Sequence, residues 1–129
     1  MSQQTPGTRL SILGNESITA YRVVAVDTDR TVRMWDTSTS NILGVSADFG
    51  DSSSACQVLL NGTAKVQCAL SVGVGAIVGP STDSNGQIVE RVEATTTSYF
   101  KTLGIALESG STNSVIEVAL FINNRRAAT

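Results

Sequence analysis

Apolar and polar residues alternate in short runs along most of the chain, and clusters of Gly, Asn, Asp and Ser separate these runs. Alternation with a period of two is typical of strands that bury one face. No segment repeats its apolar residues with the 3.6-residue period of an amphipathic helix. The pattern therefore predicts an all-β fold, a compact antiparallel β-barrel or β-sandwich of short strands.

The same pattern divides the chain into three parts. Residues 1–15 are polar and turn-rich, and we predict an N-terminal arm or irregular lead-in there. Residues 16–122 form the predicted β-domain, and the polar residues 123–129 form a flexible C-terminal tail. Within the domain, strands are predicted at residues 21–26, 31–35, 43–47, 56–60, 64–68, 76–78, 87–92, 103–107 and 115–122.

Two consecutive predicted strands, residues 56–60 and 64–68, have the clearest alternation and suggest a hairpin. Every even-numbered residue in them is apolar. Directly opposite residues of an antiparallel pair share a face. A three-residue loop at 61–63 satisfies this rule, because it sets Val58 opposite Val66 and Cys56 opposite Cys68.

An internal repeat relates two segments of the chain without a gap. Leu-Gly-Val-Ser-Ala at 43–47 corresponds to Leu-Gly-Ile-Ala-Leu at 103–107, and Gly50, Val58 and Leu60 recur as Gly110, Val118 and Leu120. We call the constant separation between such positions, as between 43 and 103, the repeat offset. A weaker echo relates residues 24–32 to 78–89. The repeat predicts two similar strand–loop–strand units, which is too few for a solenoid.

Composition narrows the function. The chain has 129 residues, which suits one domain, and 41% of them are hydrophobic. The net charge is −2 and the nine Lys and Arg are scattered, so no basic patch of the kind that binds nucleic acid is expected. No apolar run approaches a signal peptide or a membrane span, so we expect no membrane partner and synthesis in the host cytoplasm.

Candidate chemistry is sparse. The chain has no histidine, which removes the commonest general base and metal ligand. Oxygen-rich loops could form calcium sites, but Asp and Asn are also ordinary turn residues, and that interpretation is preferred. These loops contain Asp27 and Asp29, Asp48 and Asp51, and Asp83 and Asn85. We therefore expect no catalytic residues, no metal, no cofactor and no enzymatic activity.

The cysteines and aromatic residues leave alternatives open. Cys56 aligns with Ile116 in the repeat, which favours a small buried side chain. A Cys56–Cys68 disulfide is compatible with the predicted hairpin, although a reducing cytoplasm opposes it. Trp35, Tyr21, Tyr99 and the phenylalanines could mark a sugar-binding or partner surface, or could belong to the core.

Several motifs in a fixed order resemble those of the small capsid decoration, or cement, proteins of tailed phages. The similarity covers residues 15–122. After a Pro-Gly-containing start, the motifs are Ala-Tyr-Arg-Val-Val at 20–24, Leu-Gly-Val-Ser at 43–46, Val-x-Leu-x-Gly-x-Ala-x-Val at 58–66, Asp-x-x-Gly at 83–86 and Leu-Gly-Ile-Ala-Leu-Glu at 103–108. The two cysteines and the Arg125-Arg126 tail depart from the family pattern.

The resemblance implies a structural virion protein, usually a homotrimer, that binds the major capsid protein on the outer capsid surface and cements the coat lattice. In that family an N-terminal arm often reaches the capsid, which here places the expected contacts at Gln3, Gln4, Thr5, Pro6, Arg9 and Leu10. Two alternatives stay open. One is a small carbohydrate- or ligand-binding β-module, and the other is another virion component such as a tail or fibre base.

Overall fold

The structure, a computed structural model, describes residues 8–35, 41–48, 54–81, 86–90 and 101–124. Ten β-strands and no helix occur in these ranges. The strands are β1 (Arg9–Gly14), β2 (Val23–Val26), β3 (Thr31–Met34), β4 (Gly44–Ser46), β5 (Ala55–Leu59), β6 (Thr63–Gln67), β7 (Ile77–Pro80), β8 (Ile88–Glu90), β9 (Thr102–Ala106) and β10 (Val115–Asn123). The predicted all-β class is confirmed.

The strands form two sets of five. The first set is a closed barrel in the order β1-β3-β2-β4-β5, and β5 pairs back onto β1. The second set is a sheet in the order β6-β10-β9-β7-β8. The pairing of β1 with β3 is parallel, and the other strand pairs of the described residues are antiparallel.

The predicted repeat is confirmed at the level of strand register. In the first set Val45 of β4 lies opposite Leu59 of β5. In the second set Ile105 of β9 lies opposite Ala119 of β10. Ile105 is separated from Val45, and Ala119 from Leu59, by the repeat offset. Gly44 and Gly104 are equivalent in the same way, and each lacks space for a Cβ because a carbonyl of the paired strand lies against it.

The duplication extends beyond the segments that the sequence repeat identified. The β2–β3 pairing of Val26 with Val32 recurs as the β7–β8 pairing of Pro80 with Ile88. Likewise the parallel pairing of Gly14 with Val32 recurs as a parallel bridge between Cys68 and Ile88, which links the two ends of the second sheet. All five strands therefore have a counterpart. We call residues 8–60 the first unit and residues 62–120 the second unit.

Local contacts recur in the same way. Tyr21 and Gly75 occupy equivalent positions, two residues before Val23 of β2 and Ile77 of β7, and both have a left-handed φ, of 66° and 81°. The backbone N–H of Tyr21 donates to the carbonyl of Ser46, and that of Gly75 donates to the carbonyl of Ala106. Glycine avoids the steric cost of this conformation, whereas tyrosine does not. Two different sequences thus form the same backbone.

Equivalent carboxylates also stabilise equivalent loops. The Asp48 carboxylate accepts a hydrogen bond from the backbone N–H of Gln57 at 3.0 Å. The Glu108 carboxylate accepts one from the backbone N–H of Glu117 at 2.9 Å, and both of these residues are displaced from the first pair by the repeat offset. Satisfying a backbone donor near the start of a strand is a structural role, which is the turn interpretation that we preferred for Asp48.

The core consists of two clusters. The smaller cluster fills the interior of the first barrel with Ile18, Val24, Val32, Cys56 and Val58. The larger cluster combines the interior of the second unit with apolar residues from the outer face of the first. Its first-unit members are Val23, Ala25, Trp35, Ile42, Val45 and Leu59. The two units therefore share the larger cluster.

The predicted β5–β6 hairpin is wrong. β5 pairs with β1 and β4, whereas β6 pairs with β10 in the second unit. The alternation was interpreted correctly, since Cys56, Val58, Ala64 and Val66 are all buried. Alternation indicates which face is buried but does not identify the partner strand, and here each strand faces a different interior.

The predicted arm is also wrong in part, because residues 9–14 form β1 inside the first barrel rather than an arm. Residues 1–7 and most of the predicted tail, 125–129, lie outside the described residues. The remaining predicted strands overlap observed ones. Among the described residues, no helix has the length and apolar composition needed to cross a membrane.

Candidate contact surface

Two of the six predicted capsid-contact residues are described, and both belong to β1. Arg9 is exposed and pairs with Leu59, whereas Leu10 is half-buried, pairs with Val58 and packs against the smaller core cluster. Gln3, Gln4, Thr5 and Pro6 lie outside the described residues. Leu10 is therefore a structural residue of the barrel, and Arg9 is the described member of the set that projects into solvent.

A shallow groove lies beside β1. Its volume is about 280 Å³, and it is lined by Leu10, Ser11, Ile12, Leu13 and Arg30. Leu13 is 47% exposed, which is unusual for a leucine in a paired strand. Arg30 belongs to the turn between β2 and β3 and has a left-handed φ of 60°. The groove combines an apolar wall with one cationic side chain.

A second apolar surface lies on the outer face of the second unit. Ile77 of β7 lies directly opposite Ile105 of β9, so their side chains are neighbours on one face. They are 48% and 39% exposed. Leu107, which follows β9, is 46% exposed, and Val74, which precedes β7, is 69% exposed. Four large apolar side chains on adjoining segments form a surface suited to protein contact.

Charged contacts on the described surface are local. Arg33 and Asp27 form an ion pair at 3.5 Å, and Asn15 donates a hydrogen bond to the same carboxylate. Such exposed pairs contribute about 0–1 kcal/mol to stability. Asp27 thus secures the β2–β3 turn. Among the described residues no three Asp, Glu or Cys side chains are grouped so as to hold a metal ion.

The aromatic residues divide between core and surface. Trp35 is 1% exposed and lies in the larger core cluster, so it belongs to the core of the two alternatives that we left open. Tyr21 is half-buried at a turn, and Tyr99 lies outside the described residues. Within the described ranges the exposed aromatic side chain is Phe121 of β10, which is 66% accessible and is one of the phenylalanines for which a surface role was left open.

Both cysteines are free and buried. Cys56 points into the first barrel and Cys68 into the larger cluster, so the cross-strand neighbourhood expected for a disulfide is absent. Burial raises the pKa of both thiols, and for Cys56 the nearby Asp48 carboxylate raises the pKa further. They are small core side chains, as the repeat predicted for Cys56 from its alignment with Ile116.

One buried cation joins the two halves of the repeat. Lys101 is 4% exposed, and its Nζ donates to Oδ1 of Asn41 at 3.1 Å. Burial lowers the pKa of this lysine. Asn41 and Lys101 are themselves equivalent positions, separated by the repeat offset. The contact therefore ties the start of β9 to the start of β4, and its role is structural.

Comparison with known proteins identifies the fold. No protein-family model matches the chain, and no curated protein matches it. Among solved structures it is similar to the head fiber gp8.5 N base of bacteriophage phi29, with a TM-score of 0.68 and 16% sequence identity. The match covers 95% of this chain and 98% of that one. The two proteins therefore share a fold over nearly their whole lengths.

Proposed function

We propose that this chain is a structural protein of a phage virion, and that it binds the outer surface of the capsid and stabilises the coat-protein lattice as a homotrimer. The proposed partners are the major capsid protein and further copies of the chain. The proposed role is non-catalytic and requires no cofactor, which agrees with a sequence that has no histidine.

The observation that carries the proposal is the whole-chain likeness to the base of a phage head fibre. That base belongs to a protein of the phage head, and the likeness leaves almost no part of either chain unmatched. It agrees with the decoration-protein resemblance carried by motifs such as residues 43–46 and 103–108, which lie in and beside β4 and β9. The structural likeness thus supports a structural protein of a phage virion, and the decoration role is the part that we propose.

The exposed surfaces fit a protein that binds by many repeated contacts. Ile77, Ile105 and Leu107 provide apolar contact area on one unit, and the groove beside Leu13 provides it on the other. We assign these surfaces to contacts between copies of the chain, each of which would also contact the coat protein through its N-terminal arm. Each such contact is modest alone. Repetition at symmetric sites on a shell raises the overall avidity by orders of magnitude without a tight single contact.

A fibre base is the second candidate, and the same likeness favours it, because the matched structure is described as a base. A base would anchor a further segment at its site, whereas a cement protein acts through its own lattice contacts. The carbohydrate-module alternative has less support, because the tryptophan expected in its binding groove is buried.

Co-sedimentation with empty heads tests the proposal. Heads would be assembled from the major capsid protein of the same phage, in expanded and unexpanded forms. We expect binding that saturates at a fixed number of copies per particle, and heads that resist heating better when the sites are filled. A protein that stays in the supernatant with expanded heads contradicts the proposal. Saturable binding without added heat resistance favours the fibre base.

Removal of residues 2–7 tests the contacts assigned to the N-terminal arm. This deletion takes away Gln3, Gln4, Thr5 and Pro6 and leaves β1 intact, so the urea midpoint should not change. We expect binding to heads to weaken by at least tenfold. The matched control replaces Arg125 and Arg126 by alanine at the other terminus and should bind normally. Unchanged binding after the deletion would remove the arm from the interface.

A further inference from the structure

We propose that copies of this chain associate head to tail, with the outer face of the second unit of one copy covered by the first unit of the next. The interface would repeat the contact that the two units already make within one chain. This inference rests on the homotrimer of the proposed function and names its contact surfaces, and it does not require capsid binding.

The intramolecular contact covers one face of the first unit completely. Val23, Val45 and Leu59 form a row across β2, β4 and β5, since Val23 lies opposite Val45 and Val45 opposite Leu59. Their side chains point out of the first barrel, yet all three are 0% exposed. They belong to the larger core cluster, so the second unit covers them.

The same row recurs on the second unit and is open. The equivalents are Ile77, Ile105 and Ala119, which lie opposite one another in the same register on β7, β9 and β10. Ile77 and Ile105 are 48% and 39% exposed, although both are larger than the valines that they replace. In the part of the chain that the structure describes, no segment lies over this row as the second unit lies over the first.

The second unit also contacts the first unit through backbone hydrogen bonds. Within the chain, Gly86 accepts a hydrogen bond from the N–H of Val23 and donates one to the carbonyl of Trp35. Gln67, at the end of β6, donates from its backbone N–H to the carbonyl of Tyr21. These residues of the second unit make the contact with the first.

Their equivalents on the first unit lie together at the surface. Gly86 corresponds to Arg30, since they lie at the same spacing before the equivalent residues Ile88 and Val32. Both have a left-handed φ, of 75° and 60°. Gln67 corresponds to Leu13, because Gln67 directly precedes Cys68, Leu13 directly precedes Gly14, and Cys68 and Gly14 are equivalent positions. Leu13 is 47% exposed. Leu13 and Arg30 line the same groove of about 280 Å³. The first unit therefore presents at its surface the counterparts of Gly86 and Gln67, the two second-unit residues that hydrogen-bond to it.

A second copy of the chain is the occupant that fits both open surfaces. Within the described residues, each chain has an open row on its second unit and a groove on its first. The row is the counterpart of the buried Val23 row, and the groove contains the counterparts of Gly86 and Gln67, which hydrogen-bond beside that row. A contact between unlike surfaces is heterologous, and it forms a ring when the rotation between copies closes. A ring of three copies would contain six units joined by six similar contacts, three within chains and three between them.

Analytical ultracentrifugation of two variants tests the arrangement. Ile105→Lys places a charge in the open row, and Leu13→Lys places one in the groove. Both side chains are partly exposed, so each variant should fold, which circular dichroism and the urea midpoint would verify. We expect the wild type to sediment as a closed oligomer and each variant as a 13.5 kDa monomer. Leu70→Lys, at a position that is 61% exposed in the loop after β6, is the matched control and should remain oligomeric.

Mixing the two variants distinguishes a head-to-tail contact from any other. The Ile105→Lys chain keeps its groove and the Leu13→Lys chain keeps its open row, so one intact contact can form between them. We expect a 1:1 dimer of twice the monomer mass that grows no further, over concentrations extending well above those that assemble the wild type.

Three results would overturn the inference: a monomeric wild type, an Ile105→Lys variant that stays oligomeric although folded, or a mixture that remains monomeric. Because heads are absent from these experiments, their outcome is separate from the capsid proposal. A protein that forms the ring but ignores heads would retain this inference and lose the proposed function.

Discussion

Truncation of one core valine tests whether the two units unfold as one body. Val118 of β10 is 0% exposed, lies opposite Ala106 and Ala64, and belongs to the core cluster that also contains Trp35 of the first unit. Val118→Ala removes two methyl groups. Because this one cluster contains residues of both units, a defect in the second unit must also destabilise the surroundings of Trp35.

The expected loss follows from the burial of this side chain. Two methyl groups contribute about 1.6 kcal/mol at about 0.8 kcal/mol each. The unfilled space adds about 1 kcal/mol. With a urea m-value of about 2 kcal/mol per molar, the loss of about 2.5 kcal/mol lowers the midpoint by about 1 M. For a domain whose total stability is about 5–15 kcal/mol, this is a large fraction.

The assay is urea unfolding followed by two signals at one fixed protein concentration, because self-association would add to the measured stability. Trp35 is the only tryptophan in the chain, so fluorescence reports on its surroundings, while far-ultraviolet circular dichroism reports on all strands. We expect the urea midpoints of both curves to shift by the same amount, and each curve to show a single transition. The control Val58→Ala alters the equivalent position in the smaller cluster and should cause a similar single shift.

Separate transitions would refute this reasoning. If Val118→Ala moved part of the circular dichroism change to lower urea while the fluorescence curve stayed in place, the second unit would unfold alone. The shared cluster would then contribute little to cooperativity, and the chain would behave as two domains rather than one.

Three further predictions follow from individual positions. Gly104→Ala should destabilise by about 1–3 kcal/mol in urea unfolding, because the new Cβ would meet the carbonyl of Ala119. Gly73→Ala should change stability by less than about 0.5 kcal/mol, since its nearest neighbour is the flexible Glu90 carboxylate at 3.3 Å, and equal losses at the two glycines would contradict the argument. Cys56 and Cys68 should react with Ellman's reagent only after unfolding. The pKa of both thiols is raised in the folded state, so their contribution to stability is complete below the ordinary thiol pKa of 9.0 and is lost as the pH rises through the pKa of the folded state. The free energy of unfolding should therefore fall above about pH 9. Rapid labelling of the native protein would instead show that the thiols are accessible. The native fluorescence of Trp35 should resist quenching by iodide, and efficient quenching would contradict its burial.

The strands were predictable from the sequence, but most of their partners were not. β2, β3, β9 and β10 overlap the predicted segments because alternation reports directly on which face is buried. β1 was not predicted because its alternation is limited to Leu10 and Ile12, next to the polar residues that precede them. Its place in the barrel comes from pairing with β5, a contact between segments far apart in the chain that no local pattern encodes.

The turn between the units explains the error at the predicted hairpin. Asn61 and Gly62 have the composition of a hairpin loop, and Gly62 does adopt a left-handed φ of 84°. The Asn61 side chain, however, accepts a hydrogen bond from the N–H of Thr8 at 2.7 Å, and the Gly62 carbonyl accepts one from Leu120. The same local chemistry thus ends one unit and begins the next.

The repeat held more information about function than any single residue did. The repeat offset identified β4, β5, β9 and β10, and the structure extends the duplication to every strand by slightly shorter separations, which differ because the connecting loops differ in length. Comparing equivalent positions then distinguishes apolar residues that the fold buries from apolar residues that lie exposed on the surface. Val45 is apolar because the second unit covers it, whereas Ile105 is apolar at an exposed position where the fold of one chain does not require it. A duplicated protein supplies its own control in this way, and the apolar residue on the uncovered copy is the observation from which the proposed self-association is argued.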